Sequence, residues 1–159
     1  MTRRLPAFAA LLLALAACET GSERKPAVSV RLRTTPGDTI APGDSLHMSA
    51  WVINREREPL KLEFESQCQV EMFVLTEDKS IVHPPGGGST CISTPTSLEV
   101  PANDSVRVDD AWLAAAPQPG EYAAYAVVSS YHVTRGERRD YKLSHRSNIV
   151  TFQVARPPS

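Results

Sequence analysis

The chain has 159 residues, of which 17 are basic and 18 acidic, for a formal charge of −1. That length is enough for one hydrophobic core. So even a balance argues against a nucleic-acid-binding protein, which calls for a clustered basic face, and against strong electrostatic steering toward a charged partner. Arg3 and Arg4 precede a 13-residue apolar run, Leu5 to Ala17, which is the layout of a bacterial secretory signal. A permanent transmembrane helix would need about 20 apolar residues.

Leu15-Ala16-Ala17-Cys18 at the end of this run resembles the lipobox of bacterial lipoproteins. The resemblance implies cleavage before Cys18, lipidation of Cys18 and attachment to a membrane; an ordinary signal peptide with an incidental cysteine is the alternative. Glu19, in place of an aspartate, implies the outer membrane where the cell has one. Loss of residues 1–17 leaves 15 basic against 18 acidic residues, a charge of −3. It also leaves Cys68 and Cys91 as an even pair in an oxidising compartment, where a disulfide is the expected state. Two free thiols or half of a metal site are the alternatives, but structural zinc takes four ligands at close paired spacing and no Cys-x-x-Cys is present.

Residues 18–26 read as the lipidated cysteine followed by a flexible tether, Glu-Thr-Gly-Ser-Glu-Arg-Lys-Pro. Val28, Val30 and Leu32 then alternate with polar neighbours, as in a strand buried on one face. Turns at Pro36-Gly37-Asp38 and Ala41-Pro42-Gly43-Asp44 lead into a central strand from Ser45 to Asn54, with Leu46, Met48, Ala50 and Val52 on one side. Asn54 to Pro59 reads as a charged hairpin connection to a strand through Leu60, Leu62 and Phe64. Val70 to Thr76 is another strand, followed by the turn Glu77-Asp78-Lys79-Ser80 and the short pair Ile81-Val82. The stretch from Pro84 to Pro95, with its consecutive glycines, reads as an irregular loop.

Leu98 and Val100 form a brief strand, and Val106 and Val108 alternate toward Trp112. After a crossover through Ala114 to Gly120, Tyr122 to Tyr131 is rich in strand formers. Arg135 to Asp140 reads as a second charged turn, residues 149–154 as the last strand, and residues 156–159 as a frayed tail. Seven to eight short strands with turn signals every 8 to 12 residues predict an all-β, immunoglobulin-like antiparallel β-sandwich over residues 27–155.

Two stretches resemble the BsuPI type of intracellular proteinase inhibitor domain. The first is Leu62-Glu63-Phe64-Glu65-Ser66-Gln67 with Met72-Phe73-Val74-Leu75-Thr76-Glu77-Asp78. The second is Trp112 standing shortly before Pro119-Gly120-Glu121-Tyr122, and together they span about Leu46 to Val128. The resemblance implies a sandwich in which the Tyr122 hydroxyl ties a corner to nearby backbone, and it implies proteinase inhibition. The chain departs from the family pattern where Lys79-Ser80 stands for a glycine turn, and where the Cys68 and Cys91 pair stands in place of an aromatic anchor.

Catalytic motifs are not evident. His47, His83, His132 and His145 have no ligand-type residue at close spacing, Asp109 and Asp110 point to opposite faces of a strand, and Gly86-Gly87-Gly88 precedes no lysine or helix. The expectation is a protein without catalysis, cofactor, metal, nucleic-acid or small-molecule partner. Cys91-Ile92-Ser93-Thr94-Pro95, stiffened by a disulfide on one side and a proline on the other, is the candidate partner-binding loop. The expected partners are the membrane, through the lipid, and a protein, a proteinase on the resemblance. A structural or assembly module of the envelope that pairs through a sheet edge is the alternative, and a metal-handling domain a third.

Overall fold

A computed structural model describes residues 26–156 other than Ser89 and Ala116. Eleven strands form two facing sheets. The first sheet has three: β1 (Val28–Thr35), β3 (Ser45–Asn54) and β8 (Ser105–Leu113), with β3 in the middle and antiparallel to both neighbours. The second is organised around one long strand, β9 (Gly120–Arg135). On one flank β9 pairs with β4 (Leu60–Phe64) near its end and with β5 (Glu71–Thr76) near its start. On the other flank it pairs with β10 (Arg138–Arg146) and β11 (Val150–Val154) in the same way. Each flank is therefore one row of strand broken in the middle. The short β2 (Thr39–Ile40), β6 (Ile81–His83) and β7 (Thr96–Val100) complete the margins beside β11, β5 and β4.

The alternation read from the sequence places the core. Leu46, Met48, Ala50 and Val52 of β3 are fully buried, facing Leu60, Leu62 and Phe64 of β4, Val74 of β5 and Ala124, Ala126 and Val128 of β9. Small alanines on the inner face of β9 leave room for the aromatic cluster of Trp112, Tyr122 and Phe152, whose ring centroids lie 5.4 to 6.1 Å apart. The Tyr122 hydroxyl donates to the Gln118 carbonyl at 2.9 Å, the corner tie implied by the Pro-Gly-x-Tyr motif. Among the described residues this core runs from Val28 to Val154.

Three features differ from the sequence reading. Strands number eleven because β2 and β6 are short, and because β10 is polar along most of its length. The charged turn expected over Arg135 to Asp140 contracts to Gly136-Glu137, with Arg135 and Arg138 already paired across it. Gly136 sits at φ +53, the left-handed region that favours glycine, with the Glu58 carboxylate beside the position a Cβ would occupy. Finally, Asn54 to Pro59 does not join a hairpin: β3 and β4 belong to different sheets, and the connection crosses between them.

The β5–β6 turn explains the departure at Lys79. Its φ is +68, the left-handed region where a Cβ is crowded. The hydroxyl of Thr76 donates to Asp78, and the Ser80 backbone and hydroxyl add further donors, which together hold the Asp78 carboxyl below its ordinary value. This side-chain network keeps the turn despite the residue at its strained position. Lys79→Gly should raise stability by roughly 0.5–1 kcal/mol, the strain relieved being partly offset by added freedom in the unfolded chain. Urea unfolding of the two proteins checks it; an unchanged or lower midpoint would refute the assignment of strain.

Candidate functional site

The break between β4 and β5 is where the two cysteines meet. Residues 65–70 leave the sheet there, and Cys68 is joined to Cys91, 23 positions further along the chain, with their Cα atoms 5.6 Å apart. Three further bonds attach the same bend to the segment after Cys91. The Gln67 N–H donates to the Ile92 carbonyl at 3.1 Å, the Thr96 hydroxyl donates to the Ser66 carbonyl at 2.7 Å, and the Gln69 amide donates to the Ser97 carbonyl at 3.0 Å. Thr96 opens the ladder with Phe64 of β4. Cys91 to Pro95 is thus held covalently at one end and by a β-ladder at the other, over only a few residues.

Within that clasp Cys91 is half-buried, while Ile92, Ser93, Thr94 and Pro95 are exposed. Ile92 is 63% exposed, more than any other large hydrophobic residue described. Beside it a recess of about 660 Å³ opens between the bend and β9, lined by Phe64, Ser66, the disulfide, Tyr131 and Lys142. The Thr94 N–H also donates to the Ile92 carbonyl, at 2.8 Å. That carbonyl accepts from both Gln67 and Thr94, so it is turned back onto the domain and the chain closes a tight three-residue turn about Ser93.

The histidines do not gather. His83, at the end of β6, has its Nε2 2.8 Å from Oδ2 of Asp110 on β8, an ion pair or hydrogen bond that clasps one sheet to the other. The partners are 27 residues apart, so no local spacing announces the pair. Asp109 points the opposite way, as its position next to Asp110 requires, and accepts from Ser49 and Arg107, which hold its carboxyl below the ordinary value. Among the described residues no group of three or more His, Cys, Asp or Glu side chains is placed to hold a metal ion. A larger recess, about 840 Å³, lies between the β5–β6 turn and the β8–β9 crossover and is lined by Asp78, Val82, Trp112, Pro117 and Tyr122 among others. Cys18 lies outside the described residues.

The fold is a sandwich of the immunoglobulin-like class, antiparallel except where the short β2 runs parallel to β11, with a stapled loop rising from one sheet. The chain belongs to the BsuPI family, described as intracellular proteinase inhibitor, which matches residues 34–133, well over half of its length. No curated protein matches. Similar solved structures include a Northeast Structural Genomics Consortium target, SoR45, at 10% identity and TM-score 0.46, the match covering 82% of this chain and 88% of the other. The seventh PapD-like domain of human CEP192 is similar at 14% identity and TM-score 0.40, over 90% and 97% of the two chains. The alkylpurine DNA glycosylase AlkC of Pseudomonas fluorescens is similar at 12% identity and TM-score 0.36, over 76% of this chain and 30% of the enzyme.

The family match includes both stretches that carried the resemblance, and the structure gives each a physical role. The Leu-x-Phe segment is the inward row of β4, and Trp112 with Tyr122 is the aromatic corner. These residues build the sandwich, and the end of the first stretch, Ser66-Gln67, also bonds to Thr96 and Ile92 beside the stapled loop.

Proposed function

We propose that the protein is a non-catalytic binding module, anchored to the cell envelope through Cys18, that engages and blocks a proteinase with the loop Cys91 to Pro95. The observation that carries this reading is the clasp at both ends of a loop that displays the most exposed large hydrophobic residue described, Ile92. An anchor already held in place loses little freedom on association, and a large exposed apolar side chain gains by entering a recess on the partner. The family's description supports a proteinase as the target. The disulfide and the secretory leader support an oxidising compartment for this member.

The manner of binding follows from the Ile92 carbonyl. An inhibitor that mimics a substrate offers the carbonyl of its reactive bond to the oxyanion hole. Here that oxygen already accepts from Gln67 and Thr94, so Ile92 acts as a side-chain anchor that obstructs access, and the bond to Ser93 is not offered for cleavage. The sheet-edge alternative is less well supported. Of the two outer strands of the three-stranded sheet, β1 is already met at Leu32 by the side-chain amide of Asn148, which accepts from its N–H and donates to its carbonyl. The other, β8, carries Arg107, Asp109 and Asp110, charges that discourage edge pairing.

The test is capture of envelope proteins by residues 19–159 produced with the disulfide formed, with each captured protein assayed for proteolysis. The expected result is a proteinase with blocked activity, an intact Ile92–Ser93 bond in the complex by mass spectrometry, and an affinity lowered at least tenfold by Ile92→Asp. Capture of non-enzymatic proteins alone, unaffected by Ile92→Asp but lost on changes in β8, would establish the assembly module instead.

A further inference from the structure

The near-even charge of the chain conceals a clustered basic face. On the outer side of the three-stranded sheet, Arg31 of β1, Trp51 of β3 and Arg107 of β8 stand in one row across the strands, and Arg33, Ser49 and Asp109 in the next. The guanidinium groups of Arg33 and Arg107 lie 5.5 and 5.7 Å from the centre of the Trp51 ring. Arg55 extends the cluster by donating to the Ser29 hydroxyl at 2.7 Å. Among the described residues of these three strands, Asp109 is the one acid on this face and is satisfied by Arg107 and Ser49. Among the described residues no carboxylate pairs with Arg31, Arg33 or Arg55. Gathering like charges on one sheet face raises the energy of the folded state unless something anionic lies over it.

We propose that this face lies against an anionic membrane surface and sets the orientation of the domain. The surface is the flat outer side of a sheet, and it combines arginines with a half-exposed tryptophan, the pairing suited to a headgroup layer where an aromatic ring and weakly hydrated guanidinium groups are both stable. Position agrees with charge. The described fold begins at this sheet, with β1 its first strand, and the stretch between Cys18 and Pro26 can reach at most about 30 Å. An anchored chain therefore holds the Arg31 and Arg33 strand close to its membrane. Attachment at that distance supplies the high effective concentration that a few arginines need, since their attraction to a surface is individually weak. The stapled loop rises from the second sheet, across the core from the arginines, and so faces away from the bilayer toward a soluble partner.

The orientation rests on the anchored reading, but the test supplies the anchor chemically and does not depend on lipidation in the cell. Residues 18–159, with Cys68 and Cys91 joined, are coupled through the Cys18 thiol to a maleimide lipid in vesicles of phosphatidylcholine alone or mixed with phosphatidylglycerol. Trp51 reports docking, because Trp112 is buried. The expected result is a blue shift of emission and quenching by brominated phospholipid in the mixed vesicles only, reversed by salt. Replacing Arg31, Arg33 and Arg107 together with glutamine should lower the docking equilibrium roughly a hundredfold, and Arg31→Gln alone about fivefold. Arg31 stacks on nothing, so its single variant remains informative should the triple variant unfold; replacement of all three by lysine should retain docking. Equal signals in both vesicles, or unchanged docking of Arg31→Gln, would overturn the proposal. So would displacement of the docked chain by polyglutamate or by a DNA oligonucleotide in place of retention on the lipid. Failure here would leave the capture experiment at Ile92 unaffected, and the converse also holds.

Discussion

Replacing Asn54 by aspartate should destabilise the domain by about 3–5 kcal/mol, the largest effect of a single substitution that changes almost no volume. Asn54 ends β3 and is 1% exposed. Its side-chain amide donates to the carbonyls of Glu58 at 2.8 Å, Pro101 at 3.1 Å and Val100 at 3.3 Å, and its side-chain oxygen accepts from the Glu56 N–H at 3.0 Å. One side chain thus joins the end of the first sheet, the crossing segment and the end of β7 in the second. An aspartate has no donors to give to those carbonyls and sets a negative charge among oxygen atoms in a buried place. Asn54→Ala should cost less, about 2–3 kcal/mol, because it removes bonds without adding repulsion. Chemical unfolding of both variants checks the order. Equal losses would mean that the aspartate adds no repulsion to the loss of the amide's hydrogen bonds.

Removal of the disulfide should have the next largest effect and a different reach. In the chain-entropy account a loop of this length contributes roughly 3 kcal/mol, so a Cys68→Ala, Cys91→Ala variant should melt roughly 10 °C lower. The loss is confined in space. Cys91 to Pro95 is bonded to the bend at 65–70, and Thr96 at the start of β7 continues that attachment, whereas the rings of Trp112, Tyr122 and Phe152 pack on one another where β8, β9 and β11 meet. Amide hydrogen exchange should therefore accelerate at Gln67 and Thr94 well before it changes at β9 or β11. Affinity for a captured proteinase should fall more than the stability change alone would require, because the variant must order the loop on binding. A variant with full affinity would remove the preorganised loop from the account of binding.

Both effects bear on how the loop and the core divide the work of the domain. The family's sequence signature falls on the inward row of β4 and on the aromatic corner, positions whose cost of change is paid in stability. The stapled loop falls within the residues that the family matches but carries neither of the two stretches of resemblance, and it is held to the domain by a covalent bond.

Period-two alternation in Val28 to Leu32, Leu46 to Val52, Leu60 to Phe64 and residues 150–154 was enough to assign strands and the inward face of each, because a half-buried strand has no other way to satisfy the hydrophobic effect. The two cysteines announced their bond for a similarly local reason, being the even pair left once Cys18 is assigned to the anchor. Strand β10 escaped notice because it is largely polar, paired with β9 through a turn of two residues, and owes its form to the ladder and not to its own propensity. Asn54, Asn148 and the His83–Asp110 clasp were equally silent, since each acts on groups that the chain brings together only by folding. The same holds for the basic face. Arg31, Arg33, Arg55 and Arg107 are scattered among acids in a nearly neutral sequence, and only the antiparallel register of β1, β3 and β8 sets them side by side around Trp51. Burial is written along a strand with a period of two residues, whereas charge clustering is written across strands, by a register that depends on the whole fold.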